Sequence, residues 1–166
     1  MDSDLARLRG PFAGTAGHLD APYAATPPAV VEAMLDLAAL APGERLLDLG
    51  SGDGRIVIEA ARRGAEAIGV DIVGERVAQA ADAARAAGVA DRARFRREDL
   101  FATPLGGADV ITMYLLGNVN VWLGPRLRAE ARPGARIVSY AFPIGGWEPA
   151  ATRRLPDWTS LYLWVA

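Results

Sequence analysis

From residue 45 to residue 142 the chain alternates short apolar runs with longer stretches in which apolar positions recur every three or four residues. The first pattern reads as buried strands and the second as amphipathic helices. Strands are predicted at 45–49, 67–71, 93–97, 108–114 and 135–142, with helices at 55–63, 74–87 and 119–131. One more helix precedes them, with Val30, Val31, Met34, Leu35 and residues 37–40 on its apolar face. Thr26 is its expected N-cap, Pro27 and Pro28 are tolerated in a first turn, and Pro42-Gly43 ends it. Residues 160–165 alternate large apolar side chains and read as a last strand. The run at 108–114 is nearly all apolar, which predicts a central strand covered on both faces.

Strand and helix alternating at this spacing predict an α/β fold: a single Rossmann-like doubly wound sheet, mostly parallel with a C-terminal antiparallel strand, and helices on both faces. Residues 1–26 lack periodicity and hold Gly10, Pro11, Gly14, Gly17 and Pro22, so they are expected to form an irregular N-terminal arm before a domain spanning 27–166. The first twenty residues carry Asp2, Asp4, Arg7, Arg9 and Asp20 and no apolar stretch of the signal-peptide kind. The most apolar window, 108–123, contains Asp109, Asn118 and Asn120 and is too short to cross a bilayer. A cytoplasmic protein without a membrane partner is expected.

Composition narrows the chemistry. The chain has no cysteine and one histidine, His18, which excludes disulfides, zinc ribbons and thiol nucleophiles. It leaves little for a Ser-His-Asp triad or a histidine metal site, and no metal is expected. All 18 basic residues are arginine, so a Walker A loop and Schiff-base chemistry are excluded as well. With a formal net charge of −2 there is no basic nucleic-acid footprint. Arg92, Arg94, Arg96 and Arg97 read as a solvated strand face.

The informative segment runs Leu46-Leu47-Asp48-Leu49-Gly50-Ser51-Gly52-Asp53-Gly54-Arg55, an apolar strand entering glycines spaced GxGxG ahead of a helix. In open α/β sheets ligands bind at the carboxyl ends of such strands, where glycine lets them approach the backbone. A dinucleotide fingerprint needs glycine at position 55, which is Arg55. Asp48 and Asp53 would repel a pyrophosphate at the helix start but suit a ligand carrying an ammonium and a sulfonium. S-adenosylmethionine is such a ligand. Asp71, at the end of the second strand, can accept both hydroxyls of a ribose, each charge-assisted bond contributing about 1.5–3 kcal/mol. Asp99, after the third strand, can accept from an adenine amino group while Leu100 or Phe101 covers the ring.

The order DLGSGDGR, VD and EDLF resembles the class I methyltransferase motifs across residues 22–142. Pro22-Tyr23-Ala24-Ala25-Thr26-Pro27-Pro28, Thr112-Met113-Tyr114-Leu115-Leu116 and the stretch from Gly134 to Phe142 extend the likeness. They are similar to the small protein-lysine methyltransferases related to the ATP-synthase c-subunit and adenine-nucleotide-translocase enzymes, and to their archaeal counterparts. The resemblance implies an N-methyltransferase acting on a protein substrate. It also implies that Tyr23 and Thr26 fold over the cofactor's methionine end and that Asp48, Gly50, Ser51, Gly52 and Asp53 form the methionine-binding loop. Asp71 and Ile72 then fall at the ribose, Asp99 and Leu100 at the adenine, and Tyr114 at the incoming methyl acceptor as the catalytic candidate. Two departures stand out: the family's Tyr-Val-Pro-Thr-Pro has Ala24-Ala25 in its middle here, and Tyr140 stands where histidine is common.

A lysine acceptor must be deprotonated, and with a free pKa near 10.4 only roughly one amine in 2,500 is neutral at pH 7. An apolar site beside a positive charge favours the neutral form. Leu115, Leu116 and Phe142 are expected to line it. The missing lysines fit either a GC-rich genome or an enzyme that methylates lysine and spares itself. Three other readings compete: a small-molecule methyltransferase, a nucleic-acid methyltransferase and a non-catalytic S-adenosylmethionine-binding protein. The second lacks its Asn-Pro-Pro-Tyr type of motif, since Thr112-Met113-Tyr114-Leu115 stands in that place.

Overall fold

In the computed structural model, which describes residues 24–166, the apolar runs become strands β1 (Arg45–Leu49), β2 (Glu66–Asp71), β3 (Ala93–Arg97), β4 (Val110–Met113) and β5 (Arg136–Tyr140). Two more follow, β6 (Ala151–Arg154) and β7 (Ser160–Val165). The helices among the described residues are α1 (Pro28–Leu37), α2 (Arg55–Arg62), α3 (Gly74–Ala86) and α4 (Gly117–Glu130). The sheet order is β3-β2-β1-β4-β5-β7-β6, parallel except that β7 runs antiparallel to both β5 and β6. This is the doubly wound sheet that the alternation predicts.

Successive strand residues face opposite layers. Leu46, Val110 and Val138 join α1 and α2 in one core, while Leu47, Leu49, Ile111, Met113 and Ile137 join Leu123 and Leu127 of α4 in the other. Every residue of β4 is buried, as its apolar run predicts for a central strand. Asp48 and Thr112 stand side by side in the β1–β4 register and so point to the same layer.

The ends of α1 differ from expectation. Thr26 is not its N-cap: Pro27 holds that position at φ −58° and ψ 146°, and its carbonyl accepts the N–H groups of Val30 and Val31 at 2.9 and 3.0 Å. A residue before proline is pushed to extended backbone, so two successive prolines delay the helix to Pro28. At the other end the helix stops at Leu37, because Ala39 turns to φ +50° and Leu40 N–H reaches back to Leu35 at 3.1 Å. Strand β6 carries no apolar signal: it is Ala-Thr-Arg-Arg, three of its four residues are exposed, and β7 is its neighbour in the sheet. An edge strand can be polar because neither face need be buried.

The turn between β1 and α2 depends on glycine at Gly54. It sits at φ +84°, and a Cβ there would lie 2.6 Å from the Phe95 ring and 2.9 Å from the Ala80 side chain. Gly54→Ala combines a left-handed alanine with overpacking, and about 2 kcal/mol of stability should be lost. Thermal unfolding checks this, with a fall in Tm of roughly 4–8 °C expected; an unchanged Tm would mean that the turn readjusts without strain.

Candidate functional site

The carboxyl ends of β1, β2 and β4 open onto a cleft of about 120 Å³. Ala24, Ala25 and Thr26 form one wall; Gly50, Ser51 and Asp53 come from the loop after β1. Asp48, Asp71, Tyr114 and Leu115 complete the lining, together with Arg55, Ile56 and Arg76 from the two following helices.

Asp48 ends up here because β1 is buried on both faces and its fourth residue is polar. It is 2% exposed, and Thr112 Oγ1 donates to its Oδ1 at 2.8 Å. Burial, reinforced by the charges of Asp71 and Asp53 and opposed by the Thr112 bond, pushes its carboxyl up to about 7. The loop beyond it bends through Gly50 at φ +78°, where a Cβ would approach Leu115 to 3.1 Å. Ser51 presents a buried hydroxyl with no hydrogen-bond partner among the described residues.

Asp71 pegs this loop to the second strand. Its Oδ2 accepts Gly52 N–H and its Oδ1 accepts Val73 N–H, both at 2.9 Å, and each oxygen keeps a second lone pair for a ligand hydroxyl. Asp53 is engaged differently from expectation. Arg55 Nε donates to it at 3.0 and 3.1 Å, and the other end of that guanidinium donates to the Thr26 carbonyl at 2.9 Å. Arg55 therefore ties residues 24–27 to the glycine loop, a role that its place in a failed dinucleotide fingerprint does not reveal.

Asp99 is buried and does not line the cleft; its Oδ1 accepts Phe101 N–H at 2.9 Å. Burial raises its pKa, while the Phe101 bond and Arg126 oppose the rise. Arg126, from α4, donates to the carbonyls of Phe101 and Thr103 and staples this loop in place. Nothing near Arg126 in sequence marks it for that task. Ile72 and Leu100 are half-buried beside the Asp71 and Asp99 turns.

Just beyond β4 the Tyr114 ring packs on Tyr140, centroids 4.5 Å apart. Burial and the neighbouring Tyr140 raise the Tyr114 pKa, so its phenol stays protonated at neutral pH. Leu115 lines the cleft; Leu116 and Phe142 are half-buried and outside the lining. Tyr23 lies outside the described residues. The structure thus brings together Thr26, Asp48, Gly50, Ser51, Asp53, Asp71, Tyr114 and Leu115 around one cavity, and does not bring Gly52, Ile72, Asp99, Leu100, Leu116 or Phe142 into its lining. Ala24 and Ala25 of the segment before the first helix line it too, as do Ile56 and Arg76, which no motif singles out.

The donor set suits a cationic nucleoside ligand. Three carboxylates face the cleft, one buried hydroxyl is unpartnered among the described residues, and the glycine turn leaves space where a side chain would intrude. Among the described residues there is no group of His, Asp or Glu able to hold a metal ion, and no helix long and apolar enough to cross a membrane.

Comparison with known proteins agrees with this geometry. Residues 48–151 match the ANTKMT methyltransferase domain family. A protein-lysine N-methyltransferase of Saccharolobus islandicus is 40% identical over 87% of this chain and 92% of its own length. The adenine nucleotide translocase lysine N-methyltransferase of Mus musculus is 36% identical over 81% of this chain, which spans 58% of that longer protein. A crystal structure of an RNA methyltransferase from Salinibacter ruber in complex with S-adenosyl-L-homocysteine superposes with a TM-score of 0.83 at 44% identity, covering 86% of this chain and 93% of that one.

Proposed function

The chain belongs to the ANTKMT methyltransferase domain family, and from that premise we propose that it transfers the methyl group of S-adenosylmethionine to the side-chain amine of a lysine in a protein substrate. The observation that carries the reading is the cleft itself, which the acid-bearing glycine loop lines together with Tyr114 and Leu115 from the end of the central strand.

When bound, S-adenosylmethionine supplies an electrophilic methyl on a sulfonium. The residues around it hold and orient. Asp71 and the loop it pegs hold the nucleoside, and Thr26, tied through Arg55, closes over the methionine end. Positioning of this kind accounts for up to about 7–11 kcal/mol of barrier lowering in a two-reactant displacement. The Tyr114 phenol, kept protonated and braced by Tyr140, offers an oxygen to orient the amine. The apolar Leu115 beside it disfavours the ammonium form, as the reaction needs.

RNA is the second reading, because the Salinibacter ruber methyltransferase with 44% identity is named for RNA. Against it stands Thr112-Met113-Tyr114-Leu115 at the end of β4, which offers no Asn-Pro-Pro-Tyr type of base-binding motif. Methyl-labelled S-adenosylmethionine, incubated with the protein and a size-fractionated cell extract, tests the two together. Label lost to protease and recovered in methyl-lysine is expected. Label lost to ribonuclease, or running with small molecules, overturns the lysine reading and leaves methyl transfer in place.

A further inference from the structure

At the carboxyl end of β5 the backbone adopts a turn that proteins use sparingly. Ala141 holds φ at +69°, and the N–H of Phe142 donates to the Tyr140 carbonyl at 2.9 Å. A three-residue turn about a left-handed residue is the rare, strained form of the γ-turn. Such a conformation persists where its surroundings over-determine it, and it clusters at working sites. Two buried donors do so here. Ser139 Oγ donates to the Phe142 carbonyl at 2.5 Å, and Asn120 Nδ2 donates to the same carbonyl at 3.0 Å. Asn120 Nδ2 also reaches the Pro143 carbonyl at 3.4 Å.

Both side chains are fully buried. A buried amide is costly unless bonded, and Asn120 is bonded through its N–H side; its oxygen has no partner among the described residues. An apolar residue would pack there more cheaply, so the amide's contribution is the turn it holds. The turn also lies beside the acceptor end of the cleft. Ser139 pairs with Met113, the residue before Tyr114; Tyr140 packs on Tyr114; and the Phe142 ring stands 3.9 Å from where a Cβ would sit on Gly117.

We infer that Asn120 and Ser139 are positioning residues for the methyl acceptor: they lock the strained turn at Ala141 so that Phe142 stands as a fixed lip against Gly117, at the start of the helix that follows Tyr114 and Leu115. The inference rests on the methyl-transfer reading, for which the lip sets where the acceptor side chain enters.

The test compares Ser139→Ala, Asn120→Asp and Ala141→Gly with the wild-type chain. Ala141→Gly accepts φ +69° without strain and so should fold at least as well. Should Asn120→Asp fail to fold, the other two carry the test. Hydrogen exchange over residues 140–144 should quicken in Ser139→Ala and Asn120→Asp, which each lose a donor to the turn, and stay near the wild-type rate in Ala141→Gly, which keeps both donors. In the first two variants the apparent KM for whichever macromolecular fraction takes label should rise about five- to tenfold, while S-adenosylhomocysteine affinity stays within about twofold. Unchanged exchange in Ser139→Ala would show that the hydroxyl does not hold the turn, and overturn the inference. Faster exchange with an unmoved KM would make the turn a structural joint alone, which overturns it too. A wild-type protein that transfers methyl to no fraction removes the methyl-transfer reading, and the lip with it, an outcome distinct from both.

Discussion

Affinity for S-adenosylmethionine should rise about tenfold per pH unit from roughly pH 5.5 to pH 7 and level off above. The expectation follows from Asp48, buried among apolar strands with Asp71 and Asp53 nearby and pushed up to about 7. A cationic ligand needs the carboxylate, so below pH 7 each binding event must release its proton, and calorimetry in buffers of different ionisation enthalpy should register close to one proton. The sign for folding is opposite. A carboxyl whose pKa is raised by folding binds its proton more tightly in the folded state than in the unfolded one. The ligand-free protein therefore loses stability as pH rises from about 4 through 7, by at most about 4 kcal/mol. Asp48→Asn should flatten both profiles. An affinity that stays level across pH 5.5–7 in the wild-type protein would mean that Asp48 is ionised before the ligand arrives. The Thr112 hydrogen bond, the one influence working in that direction, would then be stronger than the burial opposing it.

What is legible in the sequence is what local pattern determines. The runs at β1 and β4 are apolar because both faces of those strands are covered, and the glycines after β1 recur because the turn needs positive φ at Gly50, Gly52 and Gly54. The acids at 48, 71 and 99 are readable because parallel strands bring their carboxyl ends to one edge of the sheet. Pairings made across the sheet are not readable. Thr112 meets Asp48 through a register between strands 64 residues apart in sequence, and Arg126 reaches the Asp99 loop from another helix. The engagement of Asp53 by Arg55 is local but ambiguous, since the same spacing would serve a free acid as well as a paired one. Strand β6 is hidden for a different reason: as a polar edge strand it has nothing to bury.

Asp71→Ala should weaken S-adenosylmethionine binding by about 100- to 1,000-fold, the largest loss expected from any single side chain of the site. Two effects add. The carboxylate accepts Gly52 N–H and Val73 N–H, both at 2.9 Å, and removing it leaves two main-chain donors without their partner, one of them in the loop that must cradle the ligand. Its remaining lone pairs face the cleft, where a ribose would place two hydroxyls, and those bonds are lost with it. Asp71→Asn should fall between the two proteins, because an amide oxygen can replace one acceptor while its NH₂ confronts the other donor. The two effects separate in a double-mutant cycle with a cofactor analogue lacking the ribose hydroxyls. If the carboxylate binds them directly, the analogue loses affinity for the wild-type protein and loses almost none for Asp71→Ala. Equal losses for both proteins would assign Asp71 to the loop alone, and an Asp71→Ala protein that binds within about threefold of wild type would remove it from the site.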